Sequence, residues 1–464
     1  MFRSAVLVAC VGVAFLGALF LRKSPSSANS VATPPAPAPQ TARQIIAQIP
    51  AVAGDSASDR ALGTALGTAL AKVREKDGDS ARWVVLADVL AQVLRDTADE
   101  KYYDHAEAAY QYALRLQPDN VDAMTGMAWV NGGRHLFDKS RDWANRSLAA
   151  DETNAAAYGI LGDADVELGD YEAAYSHYQK MMDLKPDLSS WSRGAHLLYL
   201  TADTKKAIWL LEKAIKAGAP FAENTAWCRA RLAMMLFSQG ALLPAAQVLE
   251  PPLKAGTRNA HVLLAAGRIA AARGDFPGAE KYYRSVLEAG PNHYALVELG
   301  DLLAVTDRKA EAETCYEQVE ALETAQTASA GHTHMAMAKF YADHDRKLIE
   351  ALRMAEARKL THNVNEADTL AWVYYKNGDQ PHAIEAIKRA LNQKTQDAEF
   401  HFHAGMIAAK FGDRVSAQNH LQTALSLNPH FSLMQAPIAV ATLSELGSAK
   451  PAATTAERGD GIAR

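Results

Sequence analysis

AAAYGILGDADVELGDYEAAYSHYQKMMDLKPD, residues 155–187, is the stretch whose reading decides the fold. Apolar residues at helical spacing fill both halves, and Gly169-Asp170-Tyr171 separates them as a turn. Pro186 stops the second half. Read outward from Gly162, a small residue recurs at Ala87, Ala128, Gly162, Ala195, Ala233, Gly267, Gly300, Ala338, Ala371 and Gly405. The intervals are 41, 34, 33, 38, 34, 33, 38, 33 and 34 residues. Most of these sites are followed twelve residues later by a second small residue. A period of this length marks a solenoid of helical hairpins, in which no hairpin buries its apolar face alone.

The same skeleton returns as Gly267, Gly274-Asp275-Phe276, Ala279, Tyr283 and Pro291. It returns again as Leu370-Ala371, Tyr374, Gly378-Asp379, Ala383 and Ala390, and as Gly405, Gly412-Asp413, Ala417, Ala424 and Pro429. With Tyr158, Leu161-Gly162, Ala174, Tyr178 and Pro186, these residues resemble the tetratricopeptide repeat over roughly three quarters of the chain. Asp165 departs from the pattern, standing where an aromatic is usual. The resemblance implies an all-α, right-handed superhelical solenoid of about ten hairpins with capping helices at both ends.

Close helix approach needs small side chains, so Gly162 is expected to face Ala174, with Tyr178 filling the gap between hairpins. Gly at the turn relieves left-handed backbone strain. The first unit carries about seven extra residues near 96–101, and the unit at Ala338 has a one-residue misfit. Pro251-Pro252 should end a second helix early. The expected organisation is an N-terminal anchor or signal (1–23), a Pro/Ala/Ser linker (24–40) and a helical cap (41–78). The solenoid (79–430), a C-terminal capping helix (431–447) and a disordered tail (448–464) follow. In the cap, Leu62, Leu66 and Leu70 share one helix face.

Residues 4–21 run without a charge between Arg3 and Arg22-Lys23. That length fits a short membrane span better than the ~7–15-residue core of a cleaved signal. Cleavage after Ser30-Val31-Ala32 is the other reading, and would leave the protein secreted. Cys10 follows a lipobox-like Leu7-Val8-Ala9, but too few apolar residues precede it. The expectation is a single N-terminal anchor with the solenoid outside the cytoplasm, periplasmic in a bacterium. Across 464 residues, 48 Lys and Arg face 53 Asp and Glu, a net charge of −5 that gives no reason to expect nucleic acid. Cys228 and Cys315, far apart, read as buried thiols rather than a disulfide framework.

No phosphate loop, dinucleotide fingerprint, nucleophile elbow or His-Glu-x-x-His occurs. His332/His334 and His401/His403 are spaced two apart, which on a helix points the rings away from each other and argues against chelation. Glu311/Glu313 and Glu320/Glu323 read as solvated faces. No cofactor or metal is expected, and no segment is left over for a catalytic domain.

In the family the first helices line a concave groove that holds peptide or protein partners. The residue after each small residue, and the one three further on, face that side. They are Trp129, Asp163, His196, Tyr199, Phe237, Arg268, Asp301, Trp372 and Tyr375, joined by Phe402 and Trp227 on the same faces. The basic, Asn-rich clamp that some members use on a C-terminal carboxylate is missing. The resulting expectation is a non-enzymatic scaffold, with envelope-complex assembly as its setting. Polysaccharide synthesis or export and a regulatory peptide receptor are the alternatives.

Overall fold

The turn inside each hairpin sets the geometry of the repeat. Gly169, Gly274, Gly378 and Gly412 adopt φ of 78°, 80°, 78° and 87°, the left-handed conformation glycine takes without a Cβ penalty. The next residue is always aspartate. Asp170, Asp275, Asp379 and Asp413 accept a backbone N–H of the helix they open. Asn120, Asn154, Asn259, Asn292 and Asn363 cap first helices in the same way. Gly-Asp therefore ends one helix and starts the next, and asparagine starts the following hairpin.

The computed structural model describes residues 40–448 apart from 53–56, 98, 220–222, 328–334, 358 and 360. Its 23 helices, with no strand among the described residues, lie in the unit Ala42–Arg464. Helices α1 (Ala42–Gln48) and α2 (Ala57–Glu75) precede ten hairpins. The first five pair α3 (Ser80–Thr97) with α4 (Lys101–Leu116), α5 (Val121–Gly133) with α6 (Phe137–Ala150), α7 (Ala155–Leu168) with α8 (Tyr171–Leu184), α9 (Leu188–Leu200) with α10 (Thr204–Ala217), and α11 (Glu223–Ser238) with α12 (Leu242–Lys254). The second five pair α13 (Ala260–Ala272) with α14 (Phe276–Leu287), α15 (His293–Val305) with α16 (Lys309–Thr327), α17 (Met335–Asp343) with α18 (Leu348–Glu356), α19 (Val364–Lys376) with α20 (Gln380–Ala390), and α21 (Ala398–Lys410) with α22 (Arg414–Leu427). Helix α23 (Gln435–Ser448) closes the array. The all-α superhelical repeat read from the period is the observed architecture.

Within a hairpin, the small residue of the first helix faces the residue sixteen positions later. A Cβ on Gly162 would lie 2.3 Å from Tyr178 Cε1, and Gly267 and Gly300 stand equally close to Tyr283 and Tyr316. Gly162 thus makes room for Tyr178 and not, as expected, for Ala174. The large ring lies across the helix, while Ala174 packs a turn away at 0% exposure. At Ala195, Ala233 and Ala371 the residue sixteen later is aliphatic and shares a core cluster with it: Leu211, Leu249 and Ile387.

Helix α12 does not stop before Pro251-Pro252 but runs through both to Lys254. Pro252 has no N–H for the Val248 carbonyl four residues back. Arg229 Nη1 donates to that oxygen instead, at 3.3 Å. A side chain from the paired helix replaces the missing backbone donor.

The superhelix returns onto itself. Asn363 Nδ2 donates to Val166 O (3.3 Å), Thr395 Oγ1 to Leu200 O (2.5 Å) and Asn428 Nδ2 to Phe237 O (2.9 Å), across 197, 195 and 191 residues. The backbone N–H of Val364 also donates to Tyr171 Oη at 2.9 Å. The acceptors lie in the last turns of α7, α9 and α11, and each donor precedes a first-type helix six hairpins further on. All three donor residues are buried, at 4%, 2% and 0% exposure.

The expectation of an N-terminal anchor is corrected. Among the described residues no helix is long and apolar enough to cross a membrane. Residues 4–21 lie outside the described residues, as do His332, His334, 24–39 and the tail from 449. Placement outside the cytoplasm, which rested on the anchor, falls with it.

Two stability outcomes follow. Gly300→Ala pushes a methyl into the Tyr316 ring and lowers the unfolding free energy by about 1–3 kcal/mol in urea titrations. Adding Tyr316→Leu, the pairing found at Ala195, restores most of that loss. Thr395→Val keeps the shape but leaves the buried Leu200 carbonyl without its donor, at a cost of about 1–3 kcal/mol.

Candidate functional site

A tyrosine buried against glycine still needs a partner for its hydroxyl. The carboxylate one residue after the glycine supplies it. Tyr178 Oη donates to Asp163 at 2.8 Å and Tyr316 Oη to Asp301 at 2.9 Å, as Tyr110 Oη does to Asp88 at 2.6 Å. These carboxylates also reach the neighbouring hairpin. Arg193 Nε donates to both Asp163 oxygens (2.9 and 3.0 Å). Arg268 Nε donates to Glu298 at 2.5 Å, and Tyr283 Oη shares that carboxylate at 3.2 Å. The polar residues picked from the period therefore already bind protein groups.

The aromatic residues from the same reading divide. Trp372 (4% exposed) and Phe402 (1%) are core, not groove. Trp372 stacks between Tyr375, at 4.7 Å and 10°, and His403, at 4.2 Å and 19°, because α19 and α21 pack directly here. Tyr375 is half-buried beneath Lys410, whose Nζ lies 4.5 Å from its ring. Trp129 is half-buried between Tyr103 (5.9 Å) and the Arg95 guanidinium (5.3 Å). Trp227 lies half-buried under Arg231 at 5.6 Å. Tyr199 is half-buried between the fourth and fifth hairpins, and Phe237 is buried. His196 Nδ1 accepts from Arg231 Nη2 at 2.6 Å, and burial, then the Arg231 charge, push its pKa down to about 3. His196 is neutral at any physiological pH.

The first helices from α13 to α21 converge on a cavity of about 380 Å³, with residues 430–435 as its far wall. Phe237, Arg268 and Asp301 are the groove residues from the sequence that border it. Lys339, Asp343, Glu399 and His344 also border it and were not singled out. Lys339 follows Ala338 just as Arg268 follows Gly267, so the period contained that signal. Glu399 and Gln435 are brought in across 60 and 92 residues, which no local pattern encodes.

Lys339 Nζ donates to Asp343 (2.7 Å) and Glu399 (2.6 Å). Burial would raise the Glu399 carboxyl, but the Lys339 ammonium, followed by His403, holds it down at about 2. Ligand atoms of Asp343, Glu399 and His403 lie within 4.8 Å of one another, a spacing that suits a metal. The Lys339 ammonium already supplies the positive charge between the two carboxylates, and His403 Nδ1 is turned to Asp368 at 2.9 Å. The geometry is that of a buried ion cluster. His401 meets His420 at 3.0 Å, and burial pushes its pKa down to about 4. Cys228, pushed up to about 12 by burial, is no nucleophile at neutral pH.

His344 has an acceptor at each ring nitrogen: Phe340 O at 2.8 Å from Nδ1 and Asp301 at 2.7 Å from Nε2. Only imidazolium donates both bonds. Burial opposes the charge, but the hydrogen bond and charge of Asp301 and the Phe340 carbonyl outweigh it and raise the pKa.

Residues 155–188 and 264–328 each match a family model described as tetratricopeptide repeat. Among curated proteins, the general transcriptional corepressor trfA of Dictyostelium discoideum is 28% identical over 79 residues. The match covers 17% of this chain and 6% of that protein. Similar solved structures include the APC/C hetero-tetramer Cut9–Hcn1 and yeast Tom70, each 13% identical over 84% of this chain and 96% of theirs, with TM-scores of 0.37. Pseudomonas aeruginosa pilF is 20% identical over 47% of this chain and 96% of its own, with a TM-score of 0.35.

The His344 geometry fixes a pH dependence. A folded pKa raised above the unfolded ~6.5 contributes stability that is fully present below pH 6.5. That contribution is lost as pH rises through the folded pKa. The stability gap between wild type and His344→Gln, measured by urea denaturation, is therefore widest at pH 5–6 and narrows above pH 6.5.

Proposed function

We propose that this chain, a member of the tetratricopeptide-repeat family, is a non-enzymatic scaffold that takes a peptide or protein partner into the axial cavity between α13 and α21. One observation carries the reading. Side chains from the first helices of six successive hairpins, α11 to α21, converge on a single concave opening, joined by Tyr283 of α14. Half-open, partly apolar concavities with a few convergent polar groups are where ligands bind. Arg268, Asp301 and the 55%-exposed Tyr294 are the contacts we assign to the partner. Asp163, Tyr199, Trp129 and Trp227, on the first turn of the superhelix, form the outer part of the same concave face. No compartment is assigned. Envelope assembly, polysaccharide synthesis or export and a regulatory peptide receptor are not carried forward.

Tyr294→Ala combined with His430→Ala trims two exposed cavity residues without opening the core. Capture from an extract of the source cells with the full chain should lose a stoichiometric partner, at unchanged melting temperature. Ile349→Ser with Val415→Ser, exposed on the second helices α18 and α22, should lose none. If the cavity pair retains every partner that the wild type captures, the concave assignment is wrong.

A further inference from the structure

Several histidines of this fold are oriented by a carboxylate. His177 turns Nδ1 to Asp165 at 2.6 Å, His344 turns Nε2 to Asp301 at 2.7 Å and His403 turns Nδ1 to Asp368 at 2.9 Å. His401 and His420 are oriented only by each other. Their Nδ1 atoms lie 3.0 Å apart across the last hairpin, and neither ring hydrogen-bonds a carboxylate, a carbonyl or a hydroxyl. Gly405 packs against Leu421 where α21 and α22 cross. His401 precedes that glycine by one turn and His420 directly precedes that leucine, so the close crossing brings the two rings together.

The ring centroids are 5.2 Å apart and the planes tilt by 32°, so the two nitrogens, not the ring faces, point at each other. One Nδ1 carries the shared proton and the other a bare lone pair. This is close to a two-point metal chelate. Zn–N bonds of ~2.0–2.1 Å at a tetrahedral centre set two imidazole nitrogens about 3.3 Å apart, so the pair needs to open by only about 0.3 Å. Access and charge also favour a cation. Both residues are half-buried, and the pair reaches solvent. Burial lowers both pKa values, which leaves the rings neutral near pH 7, the form that ligates. The only carboxylate acting on the pair is Asp413, on His420, and no Lys or Arg acts on either ring among the described residues. In the cluster of Asp343, Glu399 and His403 the Lys339 ammonium instead stands between the carboxylates.

We infer that His401 and His420 together bind one divalent transition-metal ion, of the zinc, nickel or copper class, through their Nδ1 atoms. Imidazole suits these ions, whereas magnesium takes oxygen ligands. The proton of the donating Nδ1 passes through solvent to Nε2 of the same ring, so both rings stay neutral and no net proton is released. Water fills the remaining coordination positions. The ion ties α21 to α22 in the hairpin that leads into residues 430–435. The site is separate from the axial cavity and does not depend on the scaffold reading.

The test titrates the full chain with Zn²⁺ at pH 7.5 by calorimetry, in two buffers of different ionisation enthalpy, with Mg²⁺ as the control. Zn²⁺ should fill a site with the same heat in both buffers, and Mg²⁺ should not. His401→Gln and His420→Gln should each weaken that site at least ~tenfold, since loss of a supporting outer-shell group alone costs that much. Zn²⁺ should raise the melting temperature of the wild type and of neither variant, and the melting curve shows that each variant is folded. X-ray absorption of the Zn²⁺-loaded wild type needs no variant, and should show two imidazole ligands with oxygen in the other positions. No Zn²⁺ site in the wild type, full affinity in either folded variant, heats that differ between buffers, or a spectrum without two imidazoles overturns the assignment.

Discussion

Three buried hydrogen bonds between successive superhelical turns are the constraint on which the rest of the structure depends. Asn363, Thr395 and Asn428 each satisfy a carbonyl in the last turn of α7, α9 or α11. A helix end leaves its last carbonyls short of partners; here a loop six hairpins away supplies the donor for Leu200 O and a second donor for Val166 O and Phe237 O, which also accept from Gly169 and Gly240 N–H. These bonds fix how far the solenoid advances per turn. That advance brings residues 430–435 over the concave face and makes a walled cavity from an open groove.

Much of this was legible from local pattern. The period gave the hairpins, and Gly-Asp gave their turns. The small residue and the residue sixteen later set how closely each pair packs, because both lie within one hairpin. What was not legible joins distant repeats. Gly169 looks like any other turn glycine, yet a Cβ there would fall 2.3 Å from the His362 carbonyl carbon. Nothing in residues 155–187 announces that neighbour. The burial of Trp372 and Phe402 has the same origin, since the side a first helix turns to the groove depends on the packing of the next hairpin. Pro251-Pro252 misled for a related reason: the donor that lets α12 continue comes from Arg229 on the other helix of the hairpin.

Electrostatics inside the array follows from the tyrosine–glycine packing. Each buried hydroxyl draws a carboxylate to the concave side, and each carboxylate then draws a cation from a neighbouring helix. Arg193, Arg268, Lys339 and His344 play that part. Asp397 instead caps α21 by accepting from the Glu399 N–H, and burial, helped by the charge of Glu399, pushes its carboxyl up to about 6.

The inter-turn bonds also remove a freedom that most repeat arrays have. In an ordinary solenoid each unit touches only its neighbours, so folding can begin anywhere and units can be gained or lost along the chain. Here, deleting or duplicating one hairpin between α7 and α22 would shift every later donor by a whole unit, orphan the buried Leu200 carbonyl and leave those of Val166 and Phe237 with only their local turn donors. Contacts spanning nearly 200 residues also raise the contact order, which slows the search for the native state. The array should fold less like a zipper and more like a globule, with its number of repeats locked by the register of one turn upon the next.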